Sequence, residues 1–359
     1  MITIEQERPL IEIDVGREIE AVAFIANGEY IVCGGDALGV WRVEDGKQVA
    51  AMAARDVLCL TVSRDGRWIA AGTNYGHVFV WDAKTSQEIF THREDRHAIH
   101  GVDFSPDSTR LVTASKNGTV TVWDIAAAHV ERVLTLNHED CVIAAKYSPH
   151  GDRIATAGAR DHSVRVWDST NGRLLVDIPA GVNPWLNTGL LWSNNHLFVI
   201  SDNKMKQFEA STGSAVSEWP VHDTNNSSCI ALPRHAEFIA YSTNDTITFW
   251  NTSTHAQLDL IQHSQNIYSI ALTPDNRFLA IGGLGGKITI RSLSRITVSI
   301  LLLWIIPDMN NFLVPLVFPN RIQFHGLVYI PLSRNLTFRS TTLRCIHGST
   351  INSRTRTRY

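Results

Sequence analysis

Two segments of this 359-residue chain carry residue types that could do chemistry, and each also has a plainer reading. HREDRHAIH, residues 92–100, brings His92, His97 and His100 close to Asp95. Ring nitrogens and a carboxylate are the donor set of a zinc site. These residues fall in a link between strand-rich units, where polar side chains are solvated, and no metal is expected. GGLGGK, residues 282–287, has the glycines and lysine of a phosphate loop. A phosphate loop needs a helix N-terminus behind it. This segment lies between two strand patterns and reads as a hairpin turn. No GxSxG nucleophile elbow is present, and no carboxylate pair or Ser–His–Asp set stands at a recognisable spacing. The expectation is no catalytic residue, no cofactor and no enzyme activity.

The elements that would position a site repeat along the chain. An apolar strand pattern ends on a bulky residue at Trp41, Trp81, Trp123, Trp167, Phe208, Trp250 and Arg291, at intervals of 40, 42, 44, 41, 42 and 41 residues. A period in this range marks a repeat architecture. The unit at 138–178 is the clearest. CVIAAKY reads as a strand, SPHGD as a turn, RIATAG as a strand, ARDH as a hairpin, and SVRVWD and RLLVDI as two more strands. Pro149 presets φ in the turn, and Gly151 is free to take a positive φ. Period-two alternation supports the strands, and helical periodicity is absent through residue 295. A four-stranded unit of this size cannot bury both faces alone, whereas radial stacking lets each sheet cover its neighbour. The expected fold is all-β, a seven-bladed propeller of four-stranded antiparallel sheets over residues 1–295.

Composition narrows the partners. The five cysteines form no CxxC pair, which argues against a structural zinc or a disulfide framework and fits a reducing compartment. The start MITIEQERPL lacks a basic region followed by an apolar core, so no signal peptide is read there. Residues 1–295 carry 25 basic and 34 acidic side chains. That acidic balance disfavours phosphate-backbone binding and favours a basic partner. No nucleic acid is expected. Residues 296–359 hold seven arginines and one acid, with no repeat. Their longest apolar run is too short for a spanning helix, so membrane insertion is not expected. The leading reading is an atypical, poorly ordered tail whose composition resembles translated non-coding sequence.

The dipeptides Trp81–Asp82, Trp123–Asp124 and Trp167–Asp168, with the SPxG-like turns, resemble the WD-repeat propellers, and most of all those of fungal type. The resemblance covers roughly residues 10–295. It implies a His–Ser/Thr–Asp–Trp hydrogen-bond network with a structural role, matched in full only by His138, Thr156, Asp161 and Trp167. The third unit has Asn117 at the Asp position. The seventh keeps His263 but has Ala280 at the hydroxyl position. The resemblance also implies that an N-terminal strand can complete the last blade, which would set residues 10–15 beside 287–292. ITVSILLLW at 296–304 competes for that place.

The same resemblance implies a protein-interaction scaffold whose partners dock on one face of loops. Residues placed there are Tyr75, Lys116, Arg160, His162, Trp185, Lys204 and Tyr268, with Trp, Tyr and Arg favoured as anchors. The expected partner is a protein or peptide, the chain being a monomer or part of a complex. The expected location is cytoplasmic, with the nucleus as the other choice. A sensor module of a larger signalling protein is the alternative function.

Overall fold

The computed structural model describes residues 9–25, 28–126, 129–159, 161–181, 189–201, 203–221, 228–233 and 237–293. These form 28 strands in seven four-stranded antiparallel sheets, and no helix occurs among the described residues. Blade 1 spans residues 19–52, blade 2 57–93, blade 3 99–137, blade 4 142–178, blade 5 190–220 and blade 6 228–262. Blade 7 takes its three inner strands from 267–292 and its outer strand, Ile11–Asp14, from the other end of the chain. Ile11 faces Ile290 and Ile13 faces Ile288. The ring is thus closed by strand pairing between residues far apart in sequence.

The core lies between blades rather than within them. One cluster joins Val112, Val122 and Leu136 of blade 3 to Ala145, Tyr147 and Trp167 of blade 4. The closing seam joins Ile13, Ile288 and Ile290 to Ile19, Ile31 and Trp41. Ile13 is 2% exposed, and burying such a side chain contributes roughly 1.5–3 kcal/mol.

Two bulges recur, and they set where side chains point. The first falls before the repeating bulky residue. Register shifts occur at Val40/Trp41, Val80/Trp81, Val122/Trp123, Val166/Trp167, Gln207/Phe208 and Phe249/Trp250. A bulge re-aims a side chain and increases local twist. The even period in the sequence is therefore the period of this device. The second bulge lies near the start of the inner strand, at Ile19/Ala21, Val57/Cys59, Ile99/Gly101, Val142/Ala144 and Ile267/Ser269. It leaves Glu20, Leu58, His100, Ile143 and Tyr268 as the extra residues. Blades 5 and 6 lack this shift over their paired residues and have inner strands of only four residues.

GGLGGK forms the hairpin between the second and third strands of blade 7, with Gly286 at φ 65°. Two residues placed in loops by the sequence lie on strands instead. Lys204 opens the strand Lys204–Glu209, because Asn203 at φ 58° completes a tight hairpin just before it. Tyr268 is the second residue of Ile267–Leu272, brought to the channel by the inner bulge. Arg160, Trp185 and the tail 294–359, with its competing segment 296–304, lie outside the described residues.

Candidate interaction face at the channel mouth

The inner strands of all seven blades line a central channel cavity of about 230 Å³. The five bulge residues Glu20, Leu58, His100, Ile143 and Tyr268 all reach it. They sit near the start of their strands, so they ring the mouth at the face where the chain enters each blade. Charge is polarised around that ring. Burial raises the Glu20 carboxyl above its ordinary value, and the nearby carboxylates of Glu18 and Asp36 raise it further. Burial, then the charge of Glu18, a hydrogen bond with it and the charge of Glu20, raise the Tyr268 phenol. Across the mouth, burial lowers the His100 imidazole, and the charge of Lys116 lowers it further. Carboxylates gather beside blades 7 and 1, whereas Lys116 stands nearest His100 beside blade 3.

Deeper in the channel, Lys146 Nζ donates to Asp103 Oδ1 at 3.1 Å, and the Tyr147 amide donates to Asp103 Oδ2 at 2.9 Å, tying blade 3 to blade 4. Cys59 and Cys229 also line the channel. Burial pushes both thiols up to about 12, away from nucleophilic chemistry.

Of the residues assigned to this face, Tyr75 lies in the second hairpin of blade 2 and is 55% exposed. Lys116 and His162 occupy the matching hairpins of blades 3 and 4; both are exposed, and His162 has φ 53°. Lys204 belongs to blade 5 itself, its Nζ donating to Glu218 Oε1 on the outer strand at 2.6 Å. Tyr268 stands at the channel mouth rather than in an outer loop. Glu18, Glu20, Asp36 and His100 were not assigned to a binding face from the sequence. The bulge that turns Glu20 and His100 inward breaks the alternation by which a strand is read, and Glu18 and Asp36 lie in the connections beside it.

Blade 4 holds the full network. His138 Nε2 and Thr156 Oγ1 are 2.7 Å apart, His138 Nδ1 and Asp161 Oδ2 2.9 Å, and Trp167 Nε1 donates to Thr156 Oγ1 at 2.8 Å. Burial lowers the His138 imidazole against the opposing pull of Asp161. For Asp161, burial acts upward, but hydrogen bonds from His138 and the Ser163 amide prevail and hold the carboxyl below its ordinary value. In blade 3, Asn117 donates to Asp95, and Glu94 takes the histidine position: Thr113 Oγ1 donates to its Oε1 at 2.6 Å. In blade 7, His263 reaches Thr289 Oγ1 on the third strand at 3.1 Å, bypassing Ala280. These polar sets lie at the strand starts, away from any shared cavity, so they tie loops to blades.

The histidines of HREDRHAIH diverge. The His92 ring lies 4.8 Å from that of Trp123, His97 pairs with Asp95 at 3.2 Å, and His100 turns to the channel. No group of three or more metal-ligating side chains converges among the described residues.

A closed ring of seven four-stranded blades, with a narrow channel and buried His–Thr–Trp ties, defines a β-propeller. The chain is a WD-repeat β-propeller: the WD domain, G-beta repeat model matches residues 256–291, and the model of the nucleolar protein 10-like N-terminal domain matches residues 47–210. It is similar to the transcriptional corepressor LEUNIG_HOMOLOG of Arabidopsis thaliana, 23% identical over 269 residues, covering 64% of this chain and 34% of the relative. It is also similar to the U3 small nucleolar RNA-associated protein 15 homolog of Xenopus tropicalis, 24% identical over 236 residues, covering 65% of this chain and 45% of the relative. The chain therefore spans less than half the length of these two relatives. A chain in the crystal structure of a mitotic checkpoint complex has the same fold, with a TM-score of 0.70, 18% identity, and coverage of 82% of this chain and 96% of that one.

Proposed function

We propose that the propeller is a non-catalytic interaction platform that presents its channel-mouth face to a basic segment of a protein partner. The observation that carries this is the convergence of Glu18, Glu20, Asp36 and Tyr268 at one side of the mouth, where burial first, and then the charges of Glu18 and Asp36, raise the Glu20 carboxyl. A cation inserted there relieves that repulsion and gains from the partly desolvated setting. The Tyr268 and Tyr75 rings supply anchor surface of the kind that concentrates binding energy. A rigid ring holds these groups in place before binding and reduces the ordering cost.

The relatives' names, a corepressor and a U3 small nucleolar RNA-associated protein, favour a nuclear assembly over the cytoplasmic expectation. The test is affinity capture with the full chain beside the double variant Tyr75→Ala, Tyr268→Ala. Loss of a captured protein from the variant, at unchanged melting temperature, supports the reading. Equal capture by both removes this face from the proposal.

A further inference from the structure

The seams between blades 3 and 4 and between blades 4 and 5 share one packing arrangement, and the seam between blades 1 and 2 departs from it. In blades 1, 3 and 4 one outer-strand residue lies opposite the residue preceding the outer bulge. Val122 faces Leu134, Val166 faces Val176 and Val40 faces Ala50. The next blade contributes a turn residue with positive φ, Gly172, Gly213 or Ser86. Its amide donates to the strand carbonyl at the turn's start, Asp168, Glu209 or Asp82 respectively. Leu134 Cδ2 comes within 3.7 Å of where a β-carbon on Gly172 would sit, and Val176 Cγ1 within 2.7 Å of the same point on Gly213. Those seams are filled. Between blades 1 and 2 the facing pair is Ala50 and Ser86, and a cleft of about 430 Å³ remains.

The cleft lies at the face opposite the channel mouth. Its walls are Ile25, Tyr30, Val40 and Ala50, and Val49 stands 43% exposed among the lining residues. Its size is within the roughly 300–1,000 Å³ of built ligand sites. Arg42 and Lys84 also line it, and no carboxylate does among the described residues. Asp45 holds Arg42 at 3.1 Å, while Lys84 is exposed and has no ion-pair partner among the described residues. In a repeat region rich in acid, a lining with two cations and no carboxylate over an apolar floor selects for charge as well as shape, even with Asp45 on Arg42 and Asp82 accepting from the Lys84 amide at 3.0 Å.

We propose that this cleft is a second docking site, taking an apolar side chain carried within an acidic segment of a partner protein. The apolar side chain occupies the space that Leu134 fills between blades 3 and 4, and the flanking carboxylates meet Lys84 and Arg42. The site shares no residue with the channel mouth and takes the opposite charge, so it stands or falls independently of that face.

The test is fluorescence anisotropy of the full chain with a labelled Gly/Ser peptide carrying a central Glu-Glu-Leu-Glu-Glu segment. Controls replace the glutamates by lysines or the leucine by serine. Saturable binding of the first peptide alone is expected. Ala50→Leu fills the cleft as its counterpart does elsewhere and should weaken binding at least about tenfold, the scale of losing one buried anchor. Lys84→Glu, at an exposed turn position, should also weaken it and keeps the test decisive if Ala50→Leu perturbs the fold. Absence of saturable binding, equal binding of the lysine peptide, or unchanged affinity in both variants overturns the proposal.

Discussion

Glu94 occupies in blade 3 the place that His138 occupies in blade 4. The Glu94 carboxyl accepts from Thr113 at 2.6 Å, and the His138 ring meets Thr156 at 2.7 Å. Each threonine in turn accepts from the blade's tryptophan, Trp123 or Trp167. The same tie is thus built from a carboxylic acid in one blade and an imidazole in the next, and the two respond to pH in opposite directions.

Burial raises the Glu94 carboxyl above its ordinary 4.5, prevailing over hydrogen bonds from Thr113 and Thr121 that pull it down. The folded state therefore holds this proton more tightly than the unfolded state. The stability it contributes is complete below 4.5 and is lost as pH rises through the folded value. Glu94→Gln keeps the acceptor and removes the charge. Its melting temperature should exceed that of the parent near neutral pH and approach it below 4.5, as measured by thermal melts across pH.

His138 has the reverse sign. Burial lowers its pKa below 6.5, so its contribution is present above 6.5 and is lost as pH falls through the folded value. Thr156→Val leaves both the His138 ring and the Trp167 indole without their shared partner. Denaturant titration should show a loss of roughly 2–4 kcal/mol, the scale of orphaning two buried polar groups.

The ring closure gives a third expectation. Ile13→Ala removes a side chain buried in the closing seam, and a loss of roughly 2–5 kcal/mol is expected. Glu12→Ala on the same strand removes only an exposed pair with Lys287 at 3.5 Å and should change stability by less than about 1 kcal/mol. Equal losses from the two variants would contradict closure through this strand.

The propeller was legible because its repeating signals are local. Trp41, Trp81, Trp123 and Trp167 each lie beside a bulge that recurs in six of the seven blades. The blade-4 turn was legible because Gly151 needs a positive φ, 79° here. The channel mouth was legible only in part. Glu20 and His100 owe their direction to a second bulge that leaves no residue-type signature, and Tyr268, placed on this face as a loop residue, reaches it through the same bulge. Glu94 went unnoticed because a carboxylic acid fills a role expected of histidine. The cleft at Ala50 depends on which residues face each other between blades, and no single repeat contains that information.

The central claim is that partners dock on the channel-mouth face. It is tested most directly by placing a photo-crosslinking amino acid at Tyr75, Tyr268 or Asp275 in the full chain and irradiating it in the source cells. Tyr75 and Tyr268 belong to the proposed face, whereas Asp275 sits in the turn at the far end of the blade 7 inner strand. Docking on the channel-mouth face predicts the same crosslinked protein from Tyr75 and Tyr268 and none of it from Asp275. Crosslinking of that protein from Asp275 alone, or from all three positions equally, would contradict it.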